Sequence, residues 1–124
     1  MSTWLILKQR LFDERGIFCE CGCGQIAHDV HHALIHNIKK GGKTKFPELN
    51  DERNLILVNH WEHVELKKFD NAWWREYFWQ VQVDRYGYDK MMEWRNSIPA
   101  KIWKRLDFIE RITNVRKFES SPHD

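Results

Sequence analysis

The sequence predicts a mainly helical α+β domain built around two short strands. Two apolar runs of strand length, residues 29–34 and 55–58, lie in the first half of the chain. The flanking stretches place apolar residues at helical spacing, and a Gly/Pro/Lys segment separates the two runs. At 124 residues the chain is long enough for one modest core, so a single domain spanning 1–124 is expected.

Trp4, Leu7, Leu11 and Phe12 share one helical face over about 3–15, and Gly16 supplies the stop. Ile17-Phe18-Cys19 can pair as a short strand, and Cys21-Gly22-Cys23-Gly24 must turn tightly. The first strand covers 29–34. Residues 37–50 read as a loop, with Gly41-Gly42, Pro47 and the lysines Lys39, Lys40, Lys43 and Lys45. The second strand covers 55–58, and a helix is expected over about 61–69. Asp70 or Asn71 can cap the next helix, which runs to about Tyr86 and stops at Gly87. It carries Trp73, Trp74, Tyr77, Phe78, Trp79 and Val81, so it is apolar on more than one face. A segment over 89–97 ends before Pro99. A last helix over about 100–115 aligns Ile102, Trp103, Leu106, Ile109 and Ile112, and a polar tail follows. The domain thus divides into an N-terminal helix (3–15), a core motif (17–69) and Trp-rich C-terminal helices (71–115).

Charged residues are 31% of the chain and nearly balanced, for a net +2. A general polyanion binder is more basic, so nucleic-acid contact must come from local patches. No apolar run approaches the ~20 residues of a membrane span, and the first residues lack the pattern of a secretory leader. A cytoplasmic protein without a membrane partner is expected. Cys19, Cys21 and Cys23 are odd in number and too crowded for a disulfide framework, which leaves metal binding or reduced thiols. Trp and Tyr at helical spacing usually mean core or subunit interface, so the Trp-rich helices point to packing and a homodimer more than to base stacking.

The chemistry-bearing residues are the pair His31-His32 on the first strand, Asn54 opening the second, and His63 nine positions beyond it. A His pair, an Asn before an apolar strand and a His at the following helix start resemble the motif of the HNH endonucleases. In that family two short strands and a helix, the ββα-metal arrangement, wrap one divalent ion. The resemblance covers roughly the first half of the chain. It implies a metal-dependent endonuclease acting on DNA, of the small stand-alone kind found among phage proteins, which would work in the host cytoplasm. By resemblance His31 and His63 hold the metal, His32 is the general base, and Asn54 hydrogen-bonds backbone to hold the base strand. The products are a 3′ hydroxyl and a 5′ phosphate. Adjacent strand residues face opposite ways, which suits a division of labour between His31 and His32. The lysines Lys39, Lys40, Lys43 and Lys45 read equally as a solvated loop or as phosphate contacts.

The chain departs from the commonest family pattern in two ways. The first ligand position is often Asp and here is His31. Imidazole is softer than carboxylate, so Mn²⁺, Ni²⁺, Co²⁺ or Zn²⁺ is expected to serve as well as Mg²⁺. Many relatives also hold a structural zinc with two Cys-x-x-Cys pairs. Here the second pair is replaced by Asn59 and Glu62, neither a usual zinc ligand. His60 could substitute beside Cys21 and Cys23, leaving the site one ligand short. The expectation is therefore that the aromatic helices supply the stability zinc gives elsewhere. The alternatives are a catalytically degraded HNH-fold module that only binds nucleic acid, and an assembly protein using the Trp-rich helices.

Overall fold

The structure, a computed structural model, describes residues 3–36, 39–40, 43–44 and 47–99. The expected last helix over 100–115 lies outside the described residues. Helix α1 is Thr3–Arg15, strand β1 is Asp29–His32, and a small hairpin pairs β2 (Lys39–Lys40) with β3 (Lys43–Thr44). Two 3₁₀ turns, Pro47–Asn50 and Glu52–Asn54, lead into β4, Leu55–Val58. A π-helical turn, Trp61–Glu65, is followed by α2 (Ala72–Tyr86) and α3 (Tyr88–Ser97). The result is a mixed helix-and-strand domain, as the pattern predicts.

Strands β1 and β4 pair antiparallel, with Asp29 opposite Val58, His31 opposite Ile56 and His32 opposite Leu55. All four residues of β4 are buried because both faces of this ribbon are covered. On one face Leu55 and Leu57 pack with Leu11, Trp4, Leu7 and Phe12 of α1. On the other, Ile56 and Val58 join a larger core with Phe78 and Trp79 of α2 and Met91 and Trp94 of α3. The strand period of two therefore sends His31 toward the α2 core and His32 toward α1.

Polar ties lock the layers together. Gln82 on α2 is fully buried, and its Nε2 donates to the carbonyls of Glu52, Arg53 and Leu55, each at 3.1 Å. Arg15 at the end of α1 donates to Leu55 O (2.5 Å), to Glu52 O (3.1 Å) and to Tyr86 Oη (2.7 Å). Glu20 pairs with both Arg15 and Arg85 and accepts from Leu57 N–H at 2.7 Å.

The local differences from expectation have physical causes. The first strand stops at His32 rather than 34, because Leu34 and Ile35 turn their N–H groups to the Asn54 side chain. The segment read as a loop over 37–50 contains the β2–β3 hairpin and a 3₁₀ turn. The Gly41-Gly42 pair between those strands in sequence is a composition that two-residue hairpins favour. The helix expected over 61–69 is a single π-helical turn. Leu66 N–H bonds Trp61 O at 3.0 Å, and Lys67 then takes a positive φ of 49° that ends the helical path. Helix α2 begins as predicted, with the Asn71 side chain accepting from Trp74 N–H at 3.1 Å.

Candidate functional site

The cysteine turn is a tight β-like loop: Cys19 N–H donates to Gln25 O (2.7 Å) and Ala27 N–H to Ile17 O (2.7 Å). Gly22 and Gly24 within it adopt φ near +87° and +83°, conformations that residues with a Cβ rarely take. This fold-back points all three sulfurs toward the π-helical turn. Glu62 Oε1 lies 2.9 Å from Cys23 Sγ and 3.7 Å from the sulfurs of Cys19 and Cys21. Cys19 Sγ and Cys21 Sγ are 3.3 Å apart, and all four donor atoms fall within 4.8 Å of one another. With metal–sulfur bonds of about 2.3 Å, a tetrahedral ion needs donor–donor edges of about 3.5–3.8 Å. The donor set fits a metal ion.

The ligand set expected from sequence is corrected here. His60 does not join Cys21 and Cys23. It is 56% exposed, and its Nδ1–H donates instead to Asp29 Oδ2 at 2.8 Å. Cys19 and Glu62 complete the group, so it is not one ligand short. Asn59 donates to Ile26 O (3.0 Å) and accepts from Glu62 N–H (3.2 Å), which sets the carboxylate toward the sulfurs.

The electrostatics suit a cation. Burial pushes the Cys21 and Cys23 thiols up, so they favour the protonated form unless a cation displaces the protons. Burial also works to raise Glu62, but hydrogen bonds from Cys23 and Lys68 outweigh it and keep the carboxylate ionised. Lys68 Nζ lies 2.6 Å from Glu62 Oε2 and 3.7 Å from Cys21 Sγ, and sits over the Trp74 ring at 5.1 Å. Three thiolates, one carboxylate and a divalent ion would carry net −2, which Lys68 partly offsets.

The second group of residues lies at the β1–β4 ribbon. Asn54 is fully buried and makes four hydrogen bonds to backbone. Its Oδ1 accepts from Leu34 N–H and Ile35 N–H, both at 3.0 Å, while its Nδ2 donates to Ile35 O (3.0 Å) and Leu49 O (2.9 Å). It thereby fixes the chain that leaves β1 after the His pair.

His31 and His63 come together: their ring centroids are 4.7 Å apart. Asp29, two residues before His31 and so on the same strand face, accepts from His63 Nδ1–H at 3.0 Å. A carboxylate on Nδ1 holds the ring in the tautomer whose Nε2 carries the lone pair. His31 is 4% exposed, and among the described residues its Nε2 has no hydrogen-bond partner. Burial foremost, then the charges of His63, His36 and His32, drives its pKa down to about 3, so the ring is neutral at working pH.

His32 lies on the opposite face. Its ring stacks on Trp4 with centroids 5.6 Å apart and planes 8° from parallel, and its Nε2 is 2.8 Å from Asn50 Oδ1. Lys39, Lys40 and Lys43 fall on the β2–β3 hairpin, where only backbone is described, and Lys45 lies outside the described residues.

Sequence reading named Cys19 in the cysteine cluster but left it out of the ligand set, set Glu62 aside as no usual zinc ligand, and missed Asp29 and Asn50. Period-two alternation could have found Asp29 beside His31. Glu62 is a carboxylate among three thiols, and that unusual donor type hid it. A scan against protein-family models finds no match for the chain, and searches of curated proteins and of solved structures return none either.

Proposed function

We propose that the chain is a metal-dependent endonuclease of the HNH type that hydrolyses phosphodiester bonds in DNA. The observation that carries this reading is the meeting of His31 and His63 beside the strand exit that Asn54 holds. A His pair ends one strand, Asn54 clamps the exit of that strand, and His63 meets His31 at 4.7 Å. In this reading His31 and His63 hold one divalent ion through their Nε2 atoms, and Asp29 orients His63 from behind. When bound, that ion supplies charge relief on the phosphate and on the departing 3′ oxygen. His32 takes the proton of the attacking water, with Asn50 and Trp4 holding its ring. Asn54 keeps the two histidines in register by fixing the backbone that follows them. The lysines of the β2–β3 hairpin lie between the motif halves and would meet the DNA backbone.

The Cys19/Cys21/Cys23/Glu62 group is in this reading a separate structural centre. A closed, thiolate-rich, four-donor set suits zinc. Because Glu62 and His63 are neighbours on one π-helical turn, an ion there would anchor the turn that presents His63.

The test is nicking of supercoiled plasmid by purified protein with Mg²⁺, Mn²⁺, Co²⁺ or Ni²⁺. Cleavage is expected, and His32→Ala should lower it by about 10²–10⁴-fold. Stoichiometric zinc should copurify and be lost in Cys23→Ser. No cleavage with any of the four ions would overturn the nuclease reading and favour a module that only binds nucleic acid.

A further inference from the structure

The ring of His36 stands next to that of His31, with centroids 5.9 Å apart and planes at 63°. His31 is thus flanked by two histidines, His63 on the π-helical turn and His36 on the segment that leaves β1. Its buried Nε2 has no hydrogen-bond partner among the described residues, and leaving such a group unpaired costs free energy. The His31 ring also packs against Phe69 and Phe78, which offer its buried Nε2 no hydrogen bond, whereas an ion shared with the neighbouring imidazoles would satisfy it.

We propose that His36 is a third ligand of the ion held by His31 and His63, making a three-imidazole centre that selects late transition metals over Mg²⁺. This rests on the nuclease reading for the pair His31 and His63, and adds a residue outside the motif. The ring spacings allow it. With metal–nitrogen bonds of about 2.1 Å, ring centroids around one ion stand about 4.5–5.3 Å apart. The His31–His63 separation of 4.7 Å lies inside that range, and the His31–His36 separation of 5.9 Å lies within about 1 Å of it. Among the described residues only the Cys/Glu group already has its donors gathered, so His36 must swing inward. It is exposed, so a rotamer change can do this at low cost. Closure by an exposed side chain also gives the ion a way in to an otherwise buried nitrogen. Three neutral imidazoles prefer Co²⁺ and Ni²⁺ over Mg²⁺, which takes oxygen donors.

The experiment is Co²⁺ binding by the full chain with its Cys/Glu group already saturated with zinc, followed by calorimetry and visible absorption. Thiolate-to-cobalt bands would reveal exchange into the cysteine group, so the two sites read separately. Native protein should bind one Co²⁺ without those bands. His36→Ala should weaken that binding at least about ten-fold, the level where even outer-sphere losses begin. Mg²⁺ affinity should change less. Circular dichroism checks that the variant is folded, which its exposed position favours. Unchanged Co²⁺ affinity in His36→Ala, alongside loss in His31→Ala, would overturn the role of His36 and leave the His31–His63 pair standing. Unchanged affinity in both variants would overturn the centre altogether. Tight Co²⁺ binding that depends on His36, in a protein that nicks no plasmid, would sustain the three-imidazole centre and remove the nuclease reading alone.

Discussion

Asn54→Ala is the most informative single perturbation of this fold. The wild-type side chain satisfies two backbone N–H groups, Leu34 and Ile35, and two carbonyls, Ile35 and Leu49, in a fully buried position. Truncation leaves all four without that partner. A buried donor or acceptor left unpaired costs about 1–3 kcal/mol, and carbonyls sit at the low end because they keep a second lone pair. Two N–H groups and two carbonyls then sum to about 4–8 kcal/mol, before any water enters the small space vacated. We expect a loss of at least about 4 kcal/mol, a large share of the ~5–15 kcal/mol that holds a domain of this size. The corresponding fall in Tm is roughly 15 °C. Urea unfolding followed by tryptophan fluorescence, with thermal melts alongside, measures both. A loss below about 1.5 kcal/mol with an unchanged m-value would refute the clamp, because the four groups would then have found other partners.

Three further substitutions test the packing of other side chains. The folded His31 ring stays neutral down to a pH of about 3, whereas an unfolded histidine protonates near 6.5. Its folded pKa is depressed, so its contribution is complete above pH 6.5 and falls away as pH drops toward 3, by about 1.4 kcal/mol per unit. Without added divalent metal, His31→Phe should therefore narrow the stability gap between pH 7 and pH 5 by about 2 kcal/mol; an unchanged gap in urea midpoints would show that burial is not holding the ring neutral. Phe78→Ala, at a fully buried site, should cost about 3–5 kcal/mol. Trp73, 62% exposed and stacked on Tyr77, should tolerate Trp73→Ser with little change in Tm. If α2 forms a homodimer, that same substitution should lower the sedimentation mass, and a native chain that is monomeric at all concentrations would count against the interface.

Sequence by itself determined the elements whose signal is local. The apolar spacing of Trp4, Leu7 and Leu11 with Gly16 behind it, the run Leu55–Val58, and the Asn71 cap with the Gly87 stop each encode their own backbone path. Period-two geometry also placed His31 and His32 on opposite faces before any fold was known. Tertiary structure decided what depends on which segments meet. Glu62 joins the cysteines because Asn59, tied to Ile26, sets the start of the π-helical turn, a contact between segments over thirty residues apart. His60 is drawn to Asp29 instead, because both lie at the end of the ribbon where β1 and β4 pair. The turn itself is π-helical rather than a longer α-helix because Glu62 and His63 are both held by partners outside it, Lys68 and the cysteines on one side and Asp29 on the other. Donor identity is written in the sequence, but donor convergence is a property of the packed chain, since side chains far apart in sequence become neighbours only when the core closes.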